Sequence, residues 1–363
     1  MKNNISKYFV VDLYAHGAEH SLFVEAFIDF FEKKDSIFLL NDVHEKFLKT
    51  NRKKNIGYLL KESKIKNTYL RLINREIIKV VWFIILAPYM LMTRRKICIL
   101  GASNLQVFIL SFFSFLKPSI VMHGQAEALS ANAQKLSKAA KLFKYAFQKL
   151  SKAGAKFLFL SKHIKKNIAY NGNYYYIKHP LPSNKISNTA REVQGKPLKL
   201  AMVGLLRDDK KNCNKIYDLS TSSSTEIWAI GRAHKDFIVN YDSDVKFKLW
   251  DTVYSDEEFE SVIKDIDGFI YLFDKSQYKM TASATALDAI IHQKLVFTLK
   301  NDAVESLLES YPHMVSAENI DDLSALIDSF EQCKIIINNM DIHNNYVLGE
   351  GNNDTKIVEE WIQ

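Results

Sequence analysis

The feature that most narrows what this chain can fold into is an alternation, run twice, of short apolar segments with longer amphipathic ones. The first series places strands at residues 7–14 (KYFVVDLY), 36–40 (SIFLL), 96–101 (KICILG), 118–123 (PSIVMH), 155–160 (AKFLFL) and 174–178 (YYYIK). Helical stretches fall between them, near 20–33, 55–92, 104–116, 126–151 and 162–169. The second series begins at 198–205 (LKLAMVGL) and continues through 225–230, 245–250, 268–273, 294–298 and 313–316 to a helix over about 354–362. Such alternation is the pattern of βαβ units around parallel sheets, an α/β fold. At 363 residues the chain exceeds the size at which one core usually stops growing, so two domains are expected. The break falls at His179-Pro180-Leu181-Pro182-Ser183, because two closely spaced prolines suit neither a central strand nor a helix interior. This gives a first domain over 1–182 and a second over 183–350. Open parallel sheets bind ligands outside the carboxyl ends of their strands, so two that face each other make a cleft.

Charge separates the halves. Residues 1–182 hold 30 Lys+Arg against 11 Asp+Glu, whereas the rest holds 19 against 30. A basic first half beside an acidic second half points to an anionic partner for the first: nucleic acid, acidic lipid or a phosphorylated acceptor. The first half lacks a recognisable nucleic-acid motif, which turns the expectation toward lipid or phosphate. Cys98, Cys213 and Cys333 form no CxxC pair, so neither a disulfide framework nor a zinc site is expected, and a reducing cytoplasm fits. The first apolar run is too short for an export signal and reads as a buried strand. Residues 77–92 (IIKVVWFIILAPYMLM) are nearly all apolar but fall short of the roughly 20 residues needed to span a bilayer. With Phe108, Phe112, Phe113 and Phe115, they suit either burial against the sheet or a face dipping into a membrane interface.

Candidate site residues lie where strands give way to loops. The first strand runs into Asp12-Leu13-Tyr14-Ala15-His16-Gly17-Ala18-Glu19-His20. Gly17 permits close backbone approach, and His16, Glu19 and His20 are groups able to take a proton near neutral pH. His123-Gly124-Gln125 ends a later strand, with Glu127 one helical turn on. In the second half, Gly204 precedes Arg207 and Lys211, giving room and positive charge for a diphosphate, and Gly231 ends the next strand similarly. Lys279, Thr281, Ser283 and Thr285 open a helix whose amides and hydroxyls suit phosphate oxygens. Asp288 lies further along it, placed to accept from a ribose hydroxyl.

These segments resemble the GT-B glycosyltransferases of bacterial surface-glycan assembly. AMVGLLRDDKKN is similar to the opening strand and basic loop of a donor domain, and YKMTASATALDAIIHQKLVFT to the donor-binding helix and following strand. VMHG resembles the late strand of the acceptor domain, whose histidine points at the transferred sugar, and His16-Gly17-Ala18-Glu19 matches the first loop. The resemblance implies two Rossmann-like βαβ domains facing across a cleft, with a C-terminal helix over 351–363 packing back on the first. It implies a nucleotide-sugar donor held by Gly204, Arg207, Lys211, Gly231, Lys279, Thr281, Ser283, Thr285 and Asp288. A saccharide or lipid-linked acceptor would meet Gly17, Gly124 and Glu127. His16, Glu19 and His20 are the candidate bases, with His123 their rival. Many retaining members carry two glutamates around the donor helix; here Asp288 stands for one and Met280 occupies the other position, which favours inversion. No cofactor and no metal are expected. The expected setting is cytoplasmic, peripheral on an anionic membrane face, without nucleic acid. A GT-B-like sugar-nucleotide epimerase and a non-catalytic two-lobed ligand- or nucleic-acid-binding protein are the alternatives.

Overall fold

The computed structural model describes residues 8–12, 20–48, 67–93, 95–130, 137–186, 197–252, 255–330 and 339–363. The chain forms two compact units: Met1–Ser183 with Asn344–Gln363, and Asn184–His343.

The first unit is a parallel sheet of β1 (Tyr8–Asp12), β2 (Ser36–Leu39), β3 (Lys96–Gly101), β4 (Ser119–Met122), β5 (Lys156–Phe159) and β6 (Asn173–Tyr176), in the order β2-β1-β3-β4-β5-β6. Its helices are α1 (Ser21–Glu32), α2 (Asp42–Glu45), α3 (Thr68–Thr93), α4 (Asn104–Leu110) and α5 (Lys138–Lys152). The central strands are buried on both faces, as parallel strands covered by helices must be. Phe9, Phe23, Phe27, Phe147 and Phe157 are fully buried in the core.

Two helices expected as single pieces are broken. The 104–116 stretch starts well, because Ser103 and Gln106 form a capping box, but tightens to a 3-10 helix over Ser111–Leu116 with Phe113 off helical geometry. Serines that bond back to the backbone and crowded aromatics are weak helix formers, and Ser111 Oγ donates to the Phe108 carbonyl at 2.6 Å. In the 126–151 stretch, a 3-10 turn at Gly124–Leu129 precedes α5, which starts only after the Ser137 cap.

The second unit repeats the design with β7 (Leu198–Leu206), β8 (Thr225–Ala233), β9 (Lys246–Leu249), β10 (Gly268–Tyr271), β11 (Leu295–Leu299) and β12 (Met314–Ala317). The order β12-β11-β10-β7-β8-β9 is again wholly parallel. Its helices are α6 (Asp208–Lys211), α7 (Asp256–Ile263), α8 (Leu287–Ile291), α9 (Asp302–Leu308) and α10 (Ile320–Asp328). Strand order reverses between β1 and β3 in the first unit and between β7 and β10 in the second. Adjacent strand ends send their chains to opposite faces there, which opens a crevice.

After α11 (Asn339–Tyr346), α12 (Asn353–Ile362) ends the chain. The return to the first unit begins at Asn344, ahead of the 351 boundary drawn from the sequence. Leu181 N–H donates to the Tyr346 carbonyl at 2.8 Å, and Lys178 N–H to Asp354 at 2.8 Å. Trp361 is buried, with its carbonyl accepting from Ser119 Oγ at 2.8 Å and its ring set edge-on to Phe27. Among the described residues no helix is long and apolar enough to cross a membrane.

Candidate functional site

Beside the switch point of the second unit, at the ends of β7 and β8, the two strands approach so closely that only glycine fits. A Cβ on Gly231, at φ +144°, would stand 1.8 Å from the Gly204 carbonyl oxygen, and Gly204 itself sits at φ +93°. Beside Gly204, the ammonium of Lys211 is buried and donates to Thr285 Oγ1 at 3.3 Å, a neutral partner. Burial lowers its pKa, offset in part by the negative charge of Asp288. A buried cation facing hydroxyls is stabilised by any anion that reaches it. On the segment that carries Thr285, two more hydroxyls, Thr281 Oγ1 and Ser283 Oγ, are buried without a hydrogen-bond partner. Such groups cost roughly 1–3 kcal/mol each until something bonds them.

The expected donor helix starts late. Residues 275–282 form turns and bends, Ala284–Ala286 a 3-10 turn, and α8 only then begins. Tyr278 adopts φ +57° and Met280 is buried, which fixes the turn, while the hydroxyl residues favour turn over helix. Thr281 and Ser283 thus present hydroxyls from an irregular segment rather than from a helical first turn. Asp288 lies on α8, and Lys279 is exposed.

Arg207 is committed locally. Its Nε donates to Asp209 Oδ1 at 2.6 Å and its Nη2 to Oδ2 at 2.5 Å, so a phosphate would have to compete for the fork. The loop is braced by residues the sequence did not single out. Asp209 N–H donates to Asp236 Oδ2 at 3.0 Å, and His234 Nδ1 bonds Asp236 Oδ1 at 2.5 Å. Asn212 Nδ2 donates to the Leu272 carbonyl at 3.3 Å, and Lys215 pairs with Asp274 at 2.9 Å. Apart from the local His234–Asp236 pair, each joins loops distant in sequence, so only folding reveals it.

In the first unit, His16, Gly17 and Glu19 lie outside the described residues. His20 precedes α1 with a left-handed backbone, φ 59°, a conformation uncommon for a residue with a Cβ. Its ring lies 4.7 Å from that of His123, and Phe23 packs edge-on against His123 at 4.7 Å and against His179 at 5.5 Å. Three imidazoles from three loops therefore converge beside one phenyl ring. His123 Nε2 lies 2.9 Å from the Leu100 carbonyl, which can only accept, so Nε2 carries the proton. Burial above all, then the charge of His20, drops the His123 pKa to about 3. Burial likewise lowers His179 to about 4, and its Nδ1 lies 3.1 Å from the Pro180 carbonyl. Gly124 opens the 3-10 turn after His123, and Glu127 is exposed on it.

Two further groups were hidden in the sequence. His179 looked like part of a proline linker, yet it is buried beside Phe23. Asp12 Oδ2 pairs with His44 Nδ1 at 2.9 Å, both buried, and His44 Nε2 lies 3.5 Å from Ser21 Oγ. That pair ties the end of β1 to the loop after β2 and to the start of α1.

No protein-family model and no curated protein matches the sequence. Solved structures do match along nearly the whole chain. The apo form of the lipopolysaccharide outer core galactosyltransferase WaaB superposes with a TM-score of 0.59 at 14% identity, covering 98% of each chain. Anabaena HepE, in complex with UDP and glucose, gives 0.58 at 10% identity, again with 98% of each chain covered. A Listeria monocytogenes protein described as a UDP-N-acetylglucosamine 2-epimerase gives 0.52 at 10% identity, covering 97% of this chain and 95% of that one. The class these define is the two-unit α/β architecture with parallel six-stranded sheets. The chain has the GT-B fold, common here to a sugar transferase and an epimerase alike.

Proposed function

We propose that this protein is a glycosyltransferase that moves a sugar from a nucleotide-sugar donor to a saccharide acceptor, lipid-linked and destined for a bacterial surface polysaccharide. The observation that carries the proposal is the buried Lys211 ammonium bonded to Thr285 beside Gly204, on a segment whose Thr281 and Ser283 hydroxyls are buried and unpartnered. This is an anion site built before any anion arrives, which is what a departing diphosphate requires. The fold's occurrence in WaaB and in the UDP complex of HepE supports the same reading.

In the proposed reaction an acceptor hydroxyl oxygen attacks the anomeric carbon as the bond from that carbon to the diphosphate breaks. Lys211 and the hydroxyls take up the negative charge on the leaving group, with Arg207 joining if Asp209 yields it, and Lys279 and Asp288 flank the nucleotide. The hydroxyl proton passes to a base of the first unit. His123 is poorly suited to that task, because a pKa near 3 leaves it a weak proton acceptor at neutral pH. We assign it contact with the sugar through a neutral ring, with Gly124 and Glu127 beside the acceptor, and leave the base to His16, Glu19 and His20. Leaving-group stabilisation by these side chains needs no metal. The protein works at the inner face of a membrane, peripherally attached.

The test is a thermal-shift panel of UDP-, GDP-, ADP- and CMP-linked compounds on the wild type and on Lys211→Met. One nucleotide class should stabilise the wild type and lose its effect in the variant. If no nucleotide shifts the wild type, the proposal fails. Turnover of a donor that binds without any acceptor, with the sugar inverted at a ring carbon and still attached to the nucleotide, would assign the epimerase activity instead.

A further inference from the structure

The helix α3 is amphipathic in the wrong sense for a protein in water. Ile73, Ile77, Val81 and Ile84 follow one another at three- and four-residue spacing, and all are exposed, by 40 to 55%. Ile85 and Met92 extend the same stripe, at 60% and 84%. The opposite side is the packed one: Ala87 is buried, and Glu76 accepts from Ser103 Oγ at 2.6 Å, which locks the rotation of α3 against the start of α4. The stripe is therefore presented outward by a specific polar contact. It is continued by Phe112 and Phe115, 59% and 58% exposed, in the 3-10 helix that extends α4. Contiguous apolar surface on this scale marks an interaction site.

Charge identifies the partner. Residues 67–152 contain 13 Lys+Arg, with Glu76 and Glu127 the acidic residues among them, and Glu76 is already engaged by Ser103. Lys138, Lys141 and Lys152 of α5 are exposed, and Lys149 Nζ stands 4.9 Å from the centre of the Phe112 ring, at the border between aromatic and basic surface. Helices α3, α4 and α5 pack in succession, so these features belong to one side of the first unit. An apolar stripe bordered by ammonium groups suits an anionic lipid surface, where side chains enter the acyl boundary while lysines meet headgroups.

We infer that α3 and the adjoining Phe112–Phe115 turn form a membrane-docking face that lies in the interface of an anionic bilayer. The surface lies outside both candidate sites and extends the reading of a membrane-held acceptor. Vesicle binding is read without donor or acceptor, so its outcome and that of the nucleotide panel are separable.

The experiment is vesicle flotation of the full chain with phosphatidylcholine alone and with phosphatidylcholine containing phosphatidylglycerol. It compares the wild type with an Ile77→Ser/Val81→Ser/Ile84→Ser variant and a Phe112→Ser/Phe115→Ser variant. All five positions are exposed, so the variants should melt like the wild type, which circular dichroism checks. The wild type should float with the anionic vesicles, and each variant should bind them at least tenfold more weakly. A wild type that stays at the bottom of the gradient, or variants that float equally well, would overturn the inference. So would light scattering that finds a wild-type dimer which the same substitutions dissociate, since a second copy would then cover the stripe.

Discussion

At the switch point of the first unit stand three histidine rings around Phe23; at that of the second stand a buried ammonium, three hydroxyls and two glycines at positive φ. The sheets beneath them differ in strand order but share a plan: each is parallel and each reverses direction beside its first strand. Topology thus supplies a crevice in both cases, and the loops decide what it holds. In the first unit burial discharges His123 and His179 and leaves neutral rings. In the second a charge is kept buried where phosphate would neutralise it. The outer surfaces differ as well: the exposed stripe of α3 is on the first unit, which the basic half of the sequence builds.

Five changes would break or sharpen this contrast. The largest effect is expected from Trp361→Ala, which empties the site that joins α12 to the first unit. It should cost about 3–5 kcal/mol by denaturant unfolding of that unit, and an intact nucleotide shift in the same variant would establish that the second unit holds its site unaided. Gly231→Ala comes next. The new Cβ collides with backbone, so a loss of about 3 kcal/mol or more is expected together with loss of nucleotide binding. Gly349→Ala, where nothing stands within 4 Å of the new atom, should be silent.

Lys211→Met separates function from stability. Calorimetry should find nucleotide affinity down by about 1.5–3 kcal/mol, or roughly 10- to 150-fold, the range for a charged hydrogen bond. The melting temperature should hold or rise, because a desolvated charge has been removed. A variant that simply unfolds would make Lys211 a structural residue.

The smallest effect is on acid stability. His123 and His179 titrate near 3 and 4 in the folded chain, below the ordinary histidine value near 6.5. Between these values the unfolded chain binds more protons, so stability is full above about pH 6.5 and falls as pH drops toward 4. The slope approaches about 1.4 kcal/mol per pH unit for each histidine. Replacing His179 with Gln should remove one share of it between pH 6.5 and 5. An unchanged slope would mean that His179 is not discharged by burial.

The sequence marked the second unit's site more fully than the first's. Gly204 lies near the end of β7 and Lys211 just beyond it, and strand ends are legible from apolar runs. The histidine cluster was less legible, because His179 sits in a segment whose prolines look like a linker, and Asp12 meets His44 across 32 residues of chain. The late start of α8 was also hidden. Helix propensity and turn preference nearly balance over residues 275–286, and the burial of Met280 tips them toward the turn.

What the sequence alone determined is what local periodicity encodes: two series of parallel strands, a break near Pro180–Pro182, and the strand-end loops that carry the candidate residues. What only the tertiary structure decided is which groups meet and in what protonation state. Whether His123 is a base or a neutral ring depends on how far folding strips it of water. Whether α3 is core or surface depends on which of its sides Ser103 holds. Both are set by neighbours distant in sequence, and a pattern read along one chain carries no record of them.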